Sequence, residues 1–290
     1  MSGTIGILGA TGVYARHLIP RLKQVGYTIR ALVRRPEAAR VALACGADVI
    51  EADIFDRAAM ARALQGCTIS INLATALPGP SGRGTYEAND TLRSEGTGNW
   101  LAACEVAGVG RVIQQSIGMV NASGGSEWSD ESYIQPAGDD SISARAIAAS
   151  LTMEAAVMGS ALDWTILRGG LFYGPGTGFD EAWIGMAAAG KLKLPGNGRD
   201  YVSLIHIADM AAATVAALAR WQSRKTFIVC DDEPAQWRHV FGYIAQVAGQ
   251  AELREGGQAG FPSFRLRNAQ ARDSLGWTPF FKDFRAGLAR

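Results

Sequence analysis

Gly9-Ala10-Thr11-Gly12-Val13-Tyr14-Ala15 follows directly on the apolar run Ile5-Gly6-Ile7-Leu8. A buried strand that ends in a glycine turn and passes into a helix leaves few folds open, because it is how a βαβ unit begins. In such a unit the first glycine permits the tight turn and the second lets the backbone approach a pyrophosphate. The helix N-terminus adds free N–H groups and the positive end of its dipole. The third small position, Ala15, lets helix and strand pack closely. With 35 glycines in 290 residues the spacing alone arises by chance. Its position makes it specific: it lies behind a strand and ahead of a helical face at Ala15, Leu18, Leu22 and Val25.

The rest of the first half alternates in the same way. Strand patterns fall near 4–8, 27–33, 48–51, 68–73 and 111–116, and helical patterns near 12–25, 37–45, 57–64 and 86–107. A loop at 117–140 precedes an alanine-rich helix near 141–159 and a sixth strand at Asp163–Leu167. After Arg168 come Gly169-Gly170 and an irregular Gly/Pro loop at 174–178, then a helix near 180–190. Strands at 201–205 and 226–230 and helices at 206–221 and 234–249 follow. Strands alternating with helices predict an α/β chain with a doubly wound parallel Rossmann sheet. The expected division is a nucleotide-binding domain over 1–168 plus about 201–230, with a smaller interleaved C-terminal substrate lobe over about 169–200 and 231–290.

Composition narrows the function. Net charge is +1, with no long Lys/Arg cluster, which argues against an electrostatically driven nucleic-acid binder. The longest apolar runs, such as Met210–Ala219, are too short to span a bilayer, and the N-terminus enters a strand without a signal-peptide core. Four scattered cysteines and three histidines, without a CxxC pair, indicate neither zinc nor a disulfide framework. The expectation is a cytoplasmic protein with inert thiols, no metal, and a small-molecule substrate as partner.

In a dinucleotide fold the exit of the second strand reads the adenosine ribose: a carboxylate there bonds the diol of NAD, whereas a cation accepts the 2′-phosphate of NADP. Here Tyr27–Val33 runs into Arg34-Arg35-Pro36 with no carboxylate. Arg34 and Arg35 favour NADP; the alternative is that they are solvated surface charges. Asp53 at the tip of the third strand either accepts the adenine amino group or caps the helix that starts near Asp56.

With these pieces in order the chain resembles an extended or atypical short-chain dehydrogenase/reductase of the NAD(P)-dependent epimerase/dehydratase type. The resemblance runs over nearly the whole length. It rests on the glycine turn, Gly46-Ala47-Asp48 through Asp53-Ile54, Asn72-Leu73-Ala74-Thr75 and Gly108-Val109-Gly110-Arg111-Val112. Thr165 through Gly176, His206-Ile207-Ala208-Asp209 and Leu275-Gly276-Trp277 add to it. It implies that Gly9, Thr11, Gly12, Val13, Asp53, Ile54, Leu73 and Ala74 line the cofactor site and that Gly170, Leu171 and Phe172 pass beside the nicotinamide. The helices near 86–107 and 141–159 form the dimer bundle in many relatives, so a homodimer is one expectation and burial inside a monomer the other.

The same family uses a Tyr and a Lys four residues apart, one helix face presenting both, to exchange a proton with a substrate hydroxyl. Glu154 resembles the family's glutamate beyond that pair, and counting back puts Ser150 where lysine is expected and Ala146 where tyrosine is expected. No tyrosine or lysine occurs between Ile134 and Trp164. Ser116, at the end of the fifth strand, matches the serine that bonds the reacting oxygen, or else satisfies local backbone. Tyr173 is the candidate replacement phenol, with Tyr133 behind it, and His206 either lines the cleft or packs between lobes. The favoured reading is an NADP-dependent oxidoreductase or epimerase-like enzyme acting on a small carbonyl or hydroxyl substrate. The alternatives are a non-catalytic redox-sensing regulator resembling the NmrA-like proteins and a non-redox lyase or isomerase.

Overall fold

The computed structural model describes residues 3–78, 84–250, 252–258 and 260–288. Its centre is a sheet of seven parallel strands: β1 (Thr4–Leu8), β2 (Thr28–Val33), β3 (Asp48–Glu51), β4 (Ile69–Asn72), β5 (Arg111–Ile117), β6 (Asp163–Gly169) and β7 (Lys225–Val229). Their spatial order is β7-β6-β5-β4-β1-β2-β3, so the sequence reverses direction at β1, beside β4. Ligands of open α/β sheets bind at such a switch point, outside the carboxyl ends of the strands.

Both faces of the sheet are covered, as an all-parallel sheet requires. On one face Ile5 and Ile7 of β1 join Leu18 and Leu22 of the helix Val13–Gln24 and Met210 of the helix Ile207–Ala219. On the other, Leu8, Leu32, Val112 and Ile166 meet Leu64 and Trp100, and Trp100 donates its indole N–H to Ser70 Oγ at 2.9 Å. Gly6 belongs to this second face; a Cβ there would stand 2.7 Å from Leu64 Cδ2, so the absence of a side chain lets that helix approach.

Three predicted elements differ in detail. The helix expected over 37–45 is a 3-10 turn over Pro36–Ala38 and a short α-helix over Arg40–Ala44. The helix expected over 86–107 is α-helical over Tyr86–Thr91, a π turn over Leu92–Gly96, and α-helical again over Thr97–Ala107. The bulge seats Gly96 against Ile54, whose Cδ1 would lie 3.2 Å from a Cβ there. The strand expected over 201–205 is two short strands. Tyr201–Val202 pairs with Ala235–Gln236, whereas Leu204–His206 pairs with Leu171–Tyr173. A third apolar cluster, including Trp183, Leu194, Trp237, Phe241 and Phe264, gathers beyond the carboxyl ends of β6 and β7.

Candidate cofactor and active site

At the switch point the turn Gly9–Gly12 is closed by Gly12 N–H donating to Gly9 O at 2.9 Å. Gly9 has φ +73°, and a Cβ there would stand 2.6 Å from Leu73 O, so the turn lies directly on the end of β4. Gly12 is the N-cap of the helix Val13–Gln24 and offers no side-chain oxygen, and the first turn holds no acidic residue. Its first amides therefore keep their donors and the positive dipole end uncompensated, which suits an anion. Thr11 and Val13 are half-buried beside it. The loop after Tyr173 reaches over the same helix, with a Cβ on Gly176 in van der Waals range of Val13 Cγ2 and His17 Nε2 3.2 Å from Pro175 O.

Next to the turn lies a cavity of about 510 Å³ whose wall includes Ala10, Thr11, Arg16, Arg35, Glu37 and Arg40. Arg34, expected at the ribose, is exposed and not part of this wall. Side chains alternate where the chain leaves β2 extended (Arg35 has φ −143°, ψ 97°), and it is the second arginine, also exposed, that lines the cavity and not the first. Arg16 and Arg40 join it from the first helix and from the helix Arg40–Ala44, and the strand-exit rule gives no reason to look at either.

Asp53 is half-buried, and its Oδ1 accepts from Phe55 N at 3.0 Å. Capping falls to Asp56, whose Oδ1 accepts from Ala59 N at 2.9 Å. Ile54 is buried behind Asp53. Leu73 N donates to Leu8 O, and Ala74 N to Asn72 Oδ1, both at 3.1 Å. On the opposite side Gly170 N donates to Val229 O at 2.9 Å, and a Cβ on Gly170 would stand 2.6 Å from Ser203 O. Leu171 and Phe172 are half-buried, the Phe172 ring edge-on to Tyr14 at 5.6 Å.

The two candidate catalytic hydroxyls are engaged elsewhere. Ser116 is buried and donates to Glu154 Oε1 at 2.6 Å. Glu154 receives Arg168 through two bonds of 3.0 and 2.6 Å, and Arg168 also reaches Asn121 Oδ1 at 3.2 Å. This is a closed, charge-neutral network beneath the sheet end; strand alternation turns the partly exposed Gln115 and Ile117 the other way. Tyr173 is fully buried, and its phenol donates to Asp283 O at 3.1 Å. Burial first, then the carboxylates of Asp231, Asp209 and Asp283, push that phenol far above its ordinary value, so it holds its proton. His206 is the N-cap of the helix Ile207–Ala219, with Nδ1 accepting from Ala208 N at 3.2 Å and its ring 3.9 Å from that of Phe281. Tyr133 is exposed.

Ser150, where the resemblance leads one to expect a lysine, is buried and bonds back to Ala146 O at 2.7 Å. The same carbonyl is the hydrogen-bond acceptor of Arg93, 3.4 Å from Nη1, and Arg93 is itself buried in the π turn. Sequence reasoning passes over Arg93 because helical spacing gives no sign of the bulge that carries it.

Comparison with known proteins agrees with this geometry. The sequence model of a family described as NAD(P)H-binding matches residues 9–220. A 3-diazoavenalumate denitrifying reductase from Streptomyces sp is 31% identical over 313 aligned positions, covering 98% of each chain. A 4-hydroxy-2-methyl-3-oxo-4-farnesyl-3,4-dihydroquinoline-1-oxide ketoreductase from Stigmatella aurantiaca is 25% identical, covering 84% of this chain and 72% of its own. Among solved structures, a double mutant of the dTDP-glucose 4,6-dehydratase DesIV from Streptomyces venezuelae, with NAD bound, superposes with a TM-score of 0.82. It covers 99% of this chain and 94% of its own at 20% identity, a likeness of fold. With its glycine turn at the switch point of a seven-stranded parallel sheet, the chain belongs to the NAD(P)H-binding family, on the fold of the NAD-dependent epimerases and dehydratases.

Proposed function

We propose that this chain is an NADPH-dependent reductase. The observation that carries the reading is the cavity beside the glycine turn, whose lining includes three arginines (Arg16, Arg35 and Arg40) and one carboxylate residue, Glu37. That excess of cationic forks suits a 2′-phosphate better than a bare diol. Gly9 to Val13 would cradle the pyrophosphate, Asp53 and Ile54 flank the adenine, and Leu73, Ala74 and Gly170 to Phe172 hold the nicotinamide end. Arg34 stays at the rim as a surface charge.

The engagement of the two favoured hydroxyls bears on the substrate. Ser116 and Tyr173 have their hydroxyls committed to Glu154 and Asp283, and Ala146 and Ser150 replace the proton-transferring pair. Bound NADPH supplies a hydride, the one reagent needed to exchange an aromatic diazonium for hydrogen with release of dinitrogen. Such a reaction asks the protein to orient and to exclude water, not to protonate an oxygen, and the full-length relative is named for a denitrifying reduction of a diazo compound. Carbonyl reduction, for which the ketoreductase relative is named, asks for a proton at the oxygen and needs water or a substrate group to bring it.

The test is to follow oxidation of NADPH and of NADH with an aryl diazonium salt and, separately, with a panel of ketones and aldehydes, subtracting enzyme-free rates. NADPH is expected to bind about tenfold or more tightly than NADH, with Arg35→Ala narrowing the gap. Turnover is expected with the diazonium. Equal use of both cofactors would defeat the arginine assignment. Tight binding of both redox forms without oxidation of any substrate would favour a redox-sensing protein instead.

A further inference from the structure

Arg93 is a buried cation without a counter-ion. The residue is 6% exposed, and its hydrogen bond is the 3.4 Å one to Ala146 O. No carboxylate among the described residues lies within 4.0 Å of it. Glu154, one of the two nearest carboxylates, is already closed into its pair with Arg168 and Ser116. The other, Asp90, is half-buried and forms no ion pair with Arg93; its Oδ1 has no hydrogen-bond partner among the described residues, and burial raises its carboxyl against the opposing pull of the Arg93 charge. Burial likewise pulls the Arg93 guanidinium below its ordinary value. A charge in this state is costly to keep buried unless something pairs with it.

A second, independent observation lies one turn away. Asn89 is 1% exposed, and its Nδ2 has no partner among the described residues. The amide cannot be turned to hide this, because Ala76 N donates to Oδ1 at 3.0 Å and fixes which end is oxygen. Thr97 Oγ1, four residues beyond Arg93, is also buried and unpartnered. Asn89, Arg93 and Thr97 thus repeat every four residues along one side of the helix that contains the π turn. Bulges of this kind often mark functional sites. Guanidinium, amide and hydroxyl can all donate, and among the described residues the amide Nδ2 and the hydroxyl have no hydrogen-bond partner while the guanidinium has no ion pair.

We propose that Arg93 and Asn89 receive a carboxylate of the substrate, set beside Ala146 and Ser150 where the usual proton-transferring pair is missing. This rests on the reductase reading and deepens it: the substrate is an organic acid, held at its carboxylate by a fixed cation instead of at its reacting oxygen by a phenol. The cofactor phosphates are a separate anion, provided for at the glycine turn and the arginine cavity, and Arg93 does not contribute there.

The test measures binding, so it does not depend on turnover. Protein saturated with NADP is titrated calorimetrically with 4-hydroxycinnamate, benzoate and hexanoate, and with the methyl ester of each. At least one acid is expected to bind at least about tenfold tighter than its ester. Arg93→Met is expected to erase that difference and Arg93→Lys to restore part of it, both retaining NADPH binding as the check on folding. Equal affinity for acids and esters, no binding of any acid, or an undiminished preference in Arg93→Met would each overturn the assignment. Failure of the reductase reading shows differently, as acid binding that survives while no NADPH is oxidised.

Discussion

At Gly9 two constraints coincide: a left-handed backbone at φ +73° and a carbonyl, Leu73 O, 2.6 Å from where a Cβ would stand. Either one excludes a side chain, and together they hold the turn against β4 so that the amides of the next helix stay aimed at a common point. Gly9→Ala is expected to cost about 1–3 kcal/mol from the backbone alone. It should also weaken NADPH binding more than a surface change of equal stability cost would; thermal unfolding and nicotinamide fluorescence read the two effects separately. This residue was legible in the sequence, since strand, glycine and helix follow one another within a dozen positions. Arg35, Arg16 and Arg40 were only half legible. The rule that finds a cation at the exit of β2 does not say which of two adjacent arginines lines the cavity, because that depends on the local φ and ψ.

The element that most needs its partners is the helix Ile142–Gly159, capped by Ser141 and carrying Glu154 under the ends of β5 and β6. Its charge is neutralised across three elements, with Arg168 in β6, Ser116 in β5 and Asn121 in the turn that follows. Glu154→Ala leaves Arg168 buried and unpaired, and is expected to destabilise by about 3–5 kcal/mol in denaturant unfolding. Ser116→Ala removes one neutral partner and is expected to cost about 1–2 kcal/mol while leaving kcat within severalfold of the parent. A collapse of kcat in folded Ser116→Ala would return that hydroxyl to the chemistry. The helix was readable from its pattern, and Glu154 from the resemblance to the family. That Ser116 faces the glutamate and not the cleft was not, because alternation along a strand is known only once its register is fixed: Ser116 lies opposite Arg168 and Ile117 opposite Gly169. The π turn was illegible for a related reason. One inserted residue in a helix leaves the apolar stripe almost intact while rotating everything between its ends.

Across the whole molecule, the carboxyl ends of β6 and β7 meet the third apolar cluster through a seam of buried polar groups. Tyr173 donates to Asp283 O, Asp209 Oδ2 accepts from Phe281 N at 2.8 Å, and His206 stacks on the Phe281 ring. Asp231 sits in the same seam beside the Tyr173 hydroxyl, accepting from His206 N at 3.4 Å through Oδ1. Burial pushes the Asp231 carboxyl well above its ordinary value, against the smaller opposing pull of the Tyr173 hydroxyl and the His206 amide, and the charges of Asp209 and Asp283 push it further. Its folded value is raised, so the native state holds this proton over a pH range in which the unfolded chain has lost it. Asp231 therefore contributes full stability below the ordinary carboxylate range, and that contribution falls away as pH rises toward the raised value. Asparagine keeps an acceptor for His206 N and carries no charge at any pH. Asp231→Asn is expected to unfold at a higher Tm than the parent at neutral and mildly alkaline pH, and to show a flatter fall in Tm from about pH 5 to pH 8. Thermal unfolding of both proteins across that range decides it. Parallel curves would mean that Asp231 is ionised and compensated throughout, and that the seam between sheet and third cluster is held by the aromatic stacking of His206 and Phe281 instead.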